Sequence, residues 1–299
     1  MRVAISFTGG KDSVLATHLV LSARLREIAG WTGRQGDVIV HRSSNDDACA
    51  TIEQTPIALP PSVQVACLVT FGPPASSSSD ADDRGFKAHP LKLIRQQAAA
   101  LAAGIARFTG DPPPPLIVLD VVAPHADSYA RQLKRLRQDY RIDALVTGDV
   151  LDVCSGFMGR ACARAGLALV TPLWAQERRR ILTALDALGI RAFVTCVDVR
   201  KFEAAVSAGV DPLTMILGRE LTRDVWEGPG APLQRSPGVD LCGEGGEYHS
   251  AVFEAPHLFW PRGLSVQLMH GHKLKGDAHA HVVVETVSGG DDSGRLSVV

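Results

Sequence analysis

Ile5-Ser6-Phe7-Thr8-Gly9-Gly10-Lys11-Asp12-Ser13, running on into Val14-Leu15-Ala16-Thr17-His18-Leu19-Val20, decides the fold. Ahead of the glycines, Arg2 to Phe7 is apolar and β-branched and predicts a buried strand. Behind them, Val14, Leu15, Leu19, Val20 and Leu25 recur at helical spacing. A strand, a glycine turn and a helix N-terminus therefore follow one another. Gly9 and Gly10 let the backbone approach a ligand closely, or take positive φ, at little steric cost. The first N–H groups of a helix have no partner within it, and the dipole favours negative charge there. Lys11 adds a full positive charge, and the hydroxyls of Thr8 and Ser13 can donate to phosphate oxygens. The turn reads as a phosphate cradle. Asp12 beside an anion needs a separate reason: it caps the helix, or it holds Mg²⁺ that in turn holds phosphate. The Walker A loop is excluded, because Asp12 follows Lys11 and Ile5 stands where the first glycine belongs. The dinucleotide fingerprint fails because the two glycines are adjacent.

The 299 residues suffice for one large domain or two modest ones, and 45% hydrophobic with 21% charged residues describes a globular chain. A net charge of −1 argues against a surface that coats nucleic acid. Six scattered cysteines form no C-x-x-C pair, so neither a disulfide framework nor a zinc motif is legible. No apolar run approaches the ~20 residues of a membrane span, and the first strand leads straight into the glycine turn rather than reading as a signal peptide. A reduced, cytoplasmic protein is expected. The oligomeric state stays open, a homodimer included.

Along the chain, 30–62 reads as an insertion with a short strand at Asp37 to Arg42, and Val63 to Phe71 as the next strong strand. Residues 72–86 are a low-complexity Pro/Ser/Asp insertion. A helix over Leu91 to Arg107, a strand at Leu116 to Val121 and a helix at 125–140 follow, the last with a basic outer face that reads as solvated. Next come a strand at Asp143 to Thr147, a helix over 153–165, a strand at Ala168 to Thr171, a helix at 177–188 and a strand at Arg191 to Val197. This alternation predicts a doubly wound, mainly parallel α/β sheet, Rossmann-like, with helices on both faces. Ligands in such sheets sit at the carboxyl ends of strands near the topological switch, where Thr8–Ser13 and Gly148–Asp149 fall. The rhythm weakens after 198. Residues 199–288 read as a smaller α+β part, with a hairpin at Val266 to Lys273 and Ala278 to Glu285, and 289–299 as a disordered tail. The expected division is 1–198 and 199–288.

Asp149 lies just past a strand end, where it holds Mg²⁺, positions a substrate or caps a helix. Trp174 is a stacking platform or a core aromatic. The second strong signal is Gly238-Val239-Asp240-Leu241-Cys242-Gly243-Glu244-Gly245-Gly246-Glu247-Tyr248-His249-Ser250. Its glycines pack poorly and its polar groups are costly to bury, which suits a loop around a ligand. His270, His272, His279 and His281 share one hairpin face; the polar face of a surface hairpin is the expectation there, since no metal-ligand spacing is recognisable.

Thr8 to Ser13 resembles the phosphate loop of the N-type ATP pyrophosphatases, with Thr8 for the usual serine. Cys242 to Ser250 resembles, at every position, the signature of the diphthine–ammonia ligase branch of that superfamily. Gly148-Asp149-Val150, Pro172-Leu173-Trp174 and Val194-Thr195-Cys196-Val197-Asp198 are similar to further landmarks in the expected order, so the resemblance covers about 2–260. Val153 to Phe157 departs from the Tyr-Gln-Arg-type segment of many relatives, which bears on substrate identity more than on ATP chemistry. The resemblance implies an ATP-binding domain with a C-terminal substrate-recognition part. The implied reaction adenylates a carboxylate, releases pyrophosphate and forms an amide with ammonia, with diphthine on elongation factor 2 as the carboxylate. Thr8, Gly9, Gly10, Lys11 and Ser13 would then hold pyrophosphate beside Gly148, and Asp12 and Asp149 Mg²⁺. Trp174, Glu244, Glu247, Tyr248 and His249 would line the substrate end, with Lys11, Asp12, Asp149, Glu247 and His249 catalytic. Two alternatives remain: the same chemistry on a small metabolite or a tRNA base, and a nucleotide-binding module without turnover.

Overall fold

The computed structural model describes residues 1–31, 39–43, 52–56, 63–74, 89–152, 154–261, 263–275, 278–286 and 296–298. Strand β1 (Arg2–Ser6) passes through the glycine turn into α1 (Lys11–Leu21), followed by α2 (Ala23–Ile28). Strands β2 (Ile39–Ser43), β3 (Ile52–Pro56) and β4 (Gln64–Gly72) precede helix α3 (Leu91–Thr109). Then β5 (Leu116–Asp120), α4 (His125–Tyr140), β6 (Ala144–Val146), α5 (Phe157–Ala165), β7 (Ala168–Thr171) and α6 (Arg178–Ala187) alternate as the periodicity requires. The later strands are β8 (Arg191–Asp198), β9 (Tyr248–Glu254), β10 (Val266–Lys275), β11 (His279–Thr286) and β12 (Leu296–Val298), with short helical turns between 199 and 226.

The first sheet has the order β3-β2-β7-β6-β1-β4-β5, and its five strands β7-β6-β1-β4-β5 are all parallel. Successive β1 residues face opposite sides, as a pleated strand demands. Val3 and Ile5 join the large core that also holds buried residues of α1, α3 and α6, while Ala4 joins the core under α4 and α5. The chain runs outward from β1 to β4 and β5, then returns to β6 and β7 on the other side. The switch point thus lies between β1 and β6, where Ile5 pairs with Val146.

Three expectations change. The strand at 191–197 does not extend the parallel sheet. As β8 it pairs antiparallel with β9 and β11, in a second, mainly antiparallel sheet of order β12-β10-β11-β8-β9. The short strand expected within 30–62 is present as β2, 37–38 lying outside the described residues; what changes is that a second strand, β3, joins it in an antiparallel hairpin that extends the first sheet beyond β7. Residues 296–298 of the tail add a parallel strand on β10. The hairpin expected near 266–285 is present as β10–β11. Residues 75–86 of the 72–86 insertion lie outside the described residues, as do 289–295 of the tail and the side chains of His270 and His272. Among the described residues no helix is long and apolar enough to cross a membrane.

Candidate active site

The loop after β1, the loop after β6 and the glycine loop before β9 converge on a cavity of about 330 Å³. That volume is at the lower end of small-ligand sites. Its lining includes Thr8, Gly10, Lys11, Asp12 and Ser13 from the first loop, and Gly148 and Asp149 from the second. The third contributes Glu244, Tyr248, His249 and Ser250.

Each loop residue is fixed by partners far along the chain. Gly9 has φ +76, and its carbonyl accepts from Val252 N–H at 2.9 Å and from Gln97 Nε2 at 2.9 Å. The other Gln97 amide hydrogen reaches Val252 O at 2.8 Å. A side chain at position 9 would strike the Gln97 carboxamide at 2.0 Å, so glycine is required for both space and φ. Thr8 O is met by His89 Nδ1 at 3.0 Å. The Lys11 amide donates to Ser250 Oγ at 3.4 Å.

Lys11 is 2% exposed, and its ammonium donates to Cys242 O at 2.5 Å and Asp12 Oδ2 at 2.7 Å. Burial alone would favour the neutral amine. Asp12 foremost, with Glu244, outweighs it and holds the group charged well above the usual lysine range. The Tyr248 ring centroid lies 5.5 Å from that ammonium, and its hydroxyl donates to Leu241 O at 2.6 Å. Burial pushes the Tyr248 phenol and the Cys242 thiol up, so both stay neutral.

The alternatives left by the sequence can now be separated. Asp12 does not cap α1, whose N-cap is Gly10 with no side-chain hydrogen bond. Asp12 Oδ1 is buried and has no hydrogen-bond partner among the described residues. Asp149 caps no helix either; it accepts the Thr147 hydroxyl at 2.7 Å, and α5 begins only at Phe157. Burial, and less strongly Asp12, raise the Asp149 carboxyl above the ordinary carboxylate range. Burial and then Asp12 push Glu244 up to about 7. Asp12, Asp149 and Glu244 thus bring three carboxyls to the cavity lining, where among the described residues Lys11, already shared with Asp12, is the one lysine or arginine.

Of the residues expected at the substrate end, Glu244, Tyr248 and His249 line the cavity, while Glu247 and Trp174 are not among its lining. Glu247 is buried beneath the loop, with Oε1 accepting from Asp240 N–H at 3.2 Å. It braces the turn that presents Glu244. Trp174 is half-buried after β7. His89 and Gln97 were not singled out from sequence as site residues. His89 is buried, held near pKa 4 chiefly by burial, and so neutral. Its Nδ1–H then donates to Thr8 O, and its Nε2 accepts from Thr195 Oγ1 at 3.1 Å. Among the described residues, no group of three or more His, Cys, Asp or Glu side chains is arranged to hold a metal, and this includes His279 and His281.

Fold and site together define an α/β protein with a glycine turn and helix N-terminus at the switch point of its parallel sheet, faced by an acidic glycine loop. No protein-family model matches the chain. Over 125 residues it is 28% identical to the diphthine–ammonia ligase of Mus musculus, a stretch that spans 42% of this chain and 43% of the mouse enzyme.

Proposed function

We propose that this protein is an ATP-dependent ligase that adenylates a carboxylate and converts it to an amide with ammonia, its substrate being diphthine on elongation factor 2. The observation that carries the reading is the meeting of three sequence-distant loops, Thr8–Ser13, Gly148–Asp149 and Glu244–Ser250, around one cavity. The similarity to the mouse ligase supports the same reading. On this reading residues 199–288 bring the acceptor to a nucleotide held mainly by 1–198.

A carboxylate oxygen is a poor leaving group, so the carboxylate must be activated. Its oxygen attacks the α-phosphorus of ATP, and pyrophosphate departs. Such chemistry needs position and charge neutralisation more than covalent help. Gly9, Gly10 and the first N–H groups of α1, with Thr8, Ser13 and Lys11, receive the pyrophosphate oxygens. Asp12 and Asp149 fit Mg²⁺, since both are carboxylates at the cavity and Asp12 Oδ1 has no other partner. When bound there, Mg²⁺ would neutralise charge on the leaving pyrophosphate. Glu244 and the Tyr248 ring offer an anionic and aromatic surface to the trimethylammonium group of diphthine. His249 accepts a proton from the incoming ammonium.

The test is release of pyrophosphate and AMP from Mg·ATP, with and without diphthine-bearing elongation factor 2 and ammonium. AMP formed only with both supports the ligase. Asp12→Ala should abolish that release while the melting temperature holds, and full activity in this variant would remove the loop from the mechanism.

A further inference from the structure

The second sheet carries a row of titratable side chains that the reading above leaves unused. In register across three strands, His249 on β9 stands opposite Cys196 on β8, and Cys196 opposite His281 on β11. Directly opposed residues share a face, and so do residues two apart on one strand. Asp198 and His279, themselves opposed, therefore continue the row on the same face. One end opens on the cavity, which His249 lines. The other end reaches solvent, the His279 side chain being 42% exposed. Between them, the buried Cys196 Sγ lies 3.5 Å from His281 Nε2, and the His281 and His279 ring centroids are 6.4 Å apart. Asp198 Oδ2 stands 3.8 Å from His279 Nε2.

We infer that His249, Cys196, His281 and His279 form a proton exit from the cavity to the surface. The inference rests on the proposed ligase reaction, whose nitrogen chemistry requires such an exit. Ammonium must lose one proton to become the nucleophile ammonia. The C–N bond then forms, the C–O bond to AMP breaks with its electron pair staying on the phosphate, and the nitrogen loses a second proton to become a neutral amide. Two protons therefore leave per amide, beside acids already crowded with charge. His249 takes each proton at the cavity, the Cys196 thiol and His281 pass it on, and His279 delivers it to water. Asp198, ionised through its bonds to Arg200, draws the proton toward the outer end. The other groups facing the row are His89 from α3's start, whose imidazole is opposed by the charges of His249 and His281, and Arg200 beside Asp198.

Two measurements test this. By NMR titration, His281→Phe should raise the His89 pKa, since it removes the His281 charge beside that ring; an unchanged His89 titration would show that the row is unconnected, whatever the reaction. Kinetically, AMP formation with diphthine-bearing elongation factor 2 should fall about tenfold in His281→Phe and Cys196→Ala with ammonium. Added imidazole buffer should restore His281→Phe, and Cys196→Ser should retain most of the rate. With hydroxylamine, neutral at pH 7.5 and giving up one proton per product instead of two, the loss should be smaller, about threefold. ATP–pyrophosphate exchange should not change. Equal loss with both nucleophiles, or none with either, overturns the exit while leaving the ligase standing. A wild type without ammonium-dependent AMP formation would instead overturn the ligase.

Discussion

Gly148→Ala places a single methyl where the structure has no room. A Cβ at 148 would lie 2.6 Å from the Asp12 carbonyl carbon, 2.8 Å from its oxygen and 2.8 Å from Ser13 N. The φ of Gly148 is not left-handed, so the requirement is for space alone. The obstructing atoms are backbone, and the backbone is tied: Ser13 Oγ donates to Gly10 O at 2.9 Å, and the loop before it is held by Gln97 and Val252. Reaching the van der Waals optimum of about 3.5–4.0 Å from 2.6 Å requires the loops to part by about 1 Å. Overpacking of this kind costs about 1–3 kcal/mol, a few degrees of melting temperature for a chain of this size. The functional cost is greater, because a displacement near 1 Å in a positioned site is worth about 100-fold in rate. We therefore expect kcat/KM for ATP, read by pyrophosphate release, to fall about 100-fold with only a modest drop in melting temperature. Gly230→Ala is the control, since nothing lies within 4 Å of a Cβ there. A Gly148→Ala enzyme at wild-type rate, or an equally damaged Gly230→Ala enzyme, would refute the reasoning.

Gln97→Leu removes two buried amide hydrogen bonds and leaves Val252 O short of its side-chain donor. At roughly 1 kcal/mol per neutral bond plus desolvation of the orphaned group, it should cost about 2–4 kcal/mol in thermal melts and raise KM for ATP. An unchanged KM would show that the clamp does not set the loop. Glu244 has its folded pKa raised from 4.5 to about 7, so its contribution to stability is present below pH 4.5 and lost as pH rises through 7. Relative to wild type, Glu244→Gln should gain on the order of 2–3 kcal/mol at pH 8 without metal and little at pH 5; parallel pH–melting curves would count against it. His18 and His89 are both lowered to about 4, chiefly by burial. Their contribution is present above pH 6.5 and lost as pH falls through 4, so stability should drop by several kcal/mol over that window. His18→Gln should remove roughly half of that acid limb, and a limb of undiminished depth would place its origin elsewhere.

What the sequence made legible was local. The β1–turn–α1 unit announces itself because strand period, glycines and helical spacing sit within twenty residues, and the same holds for the β5–α4 and β6–β7 repeats. Strand β8 was misassigned because an apolar β-branched run reads alike in a parallel or an antiparallel sheet. What decides is its partner β9, which begins at Tyr248. Glu244 and Glu247 occupy one glycine loop, and composition does not say which carboxylate faces the cavity and which turns back to Asp240. Gln97 carries no local signal at all: it is one glutamine in an alanine-rich helix, and its role exists only once Gly9 and Val252 are brought beside it.

That dependence bears on how the two parts of the molecule relate. Thr8, Gly9 and Lys11, three of four neighbouring loop residues, bond to His89, Gln97, Val252, Ser250 and Cys242. Three of those partners belong to β9 or the glycine loop before it. The Thr8–Lys11 turn is therefore not completed by the parallel sheet that launches it; its shape is set jointly by the second sheet. His89 carries the same link further, joining Thr8 O to Thr195, whose hydroxyl also lies 3.2 Å from His249 O. A group that displaces Ser250 or Cys242 must disturb Lys11, and one that moves Lys11 must disturb the loop bearing Glu244. Nucleotide and acceptor are thus predicted to occupy one mechanically continuous site, which fits a reaction whose two substrates must meet at a single phosphorus atom.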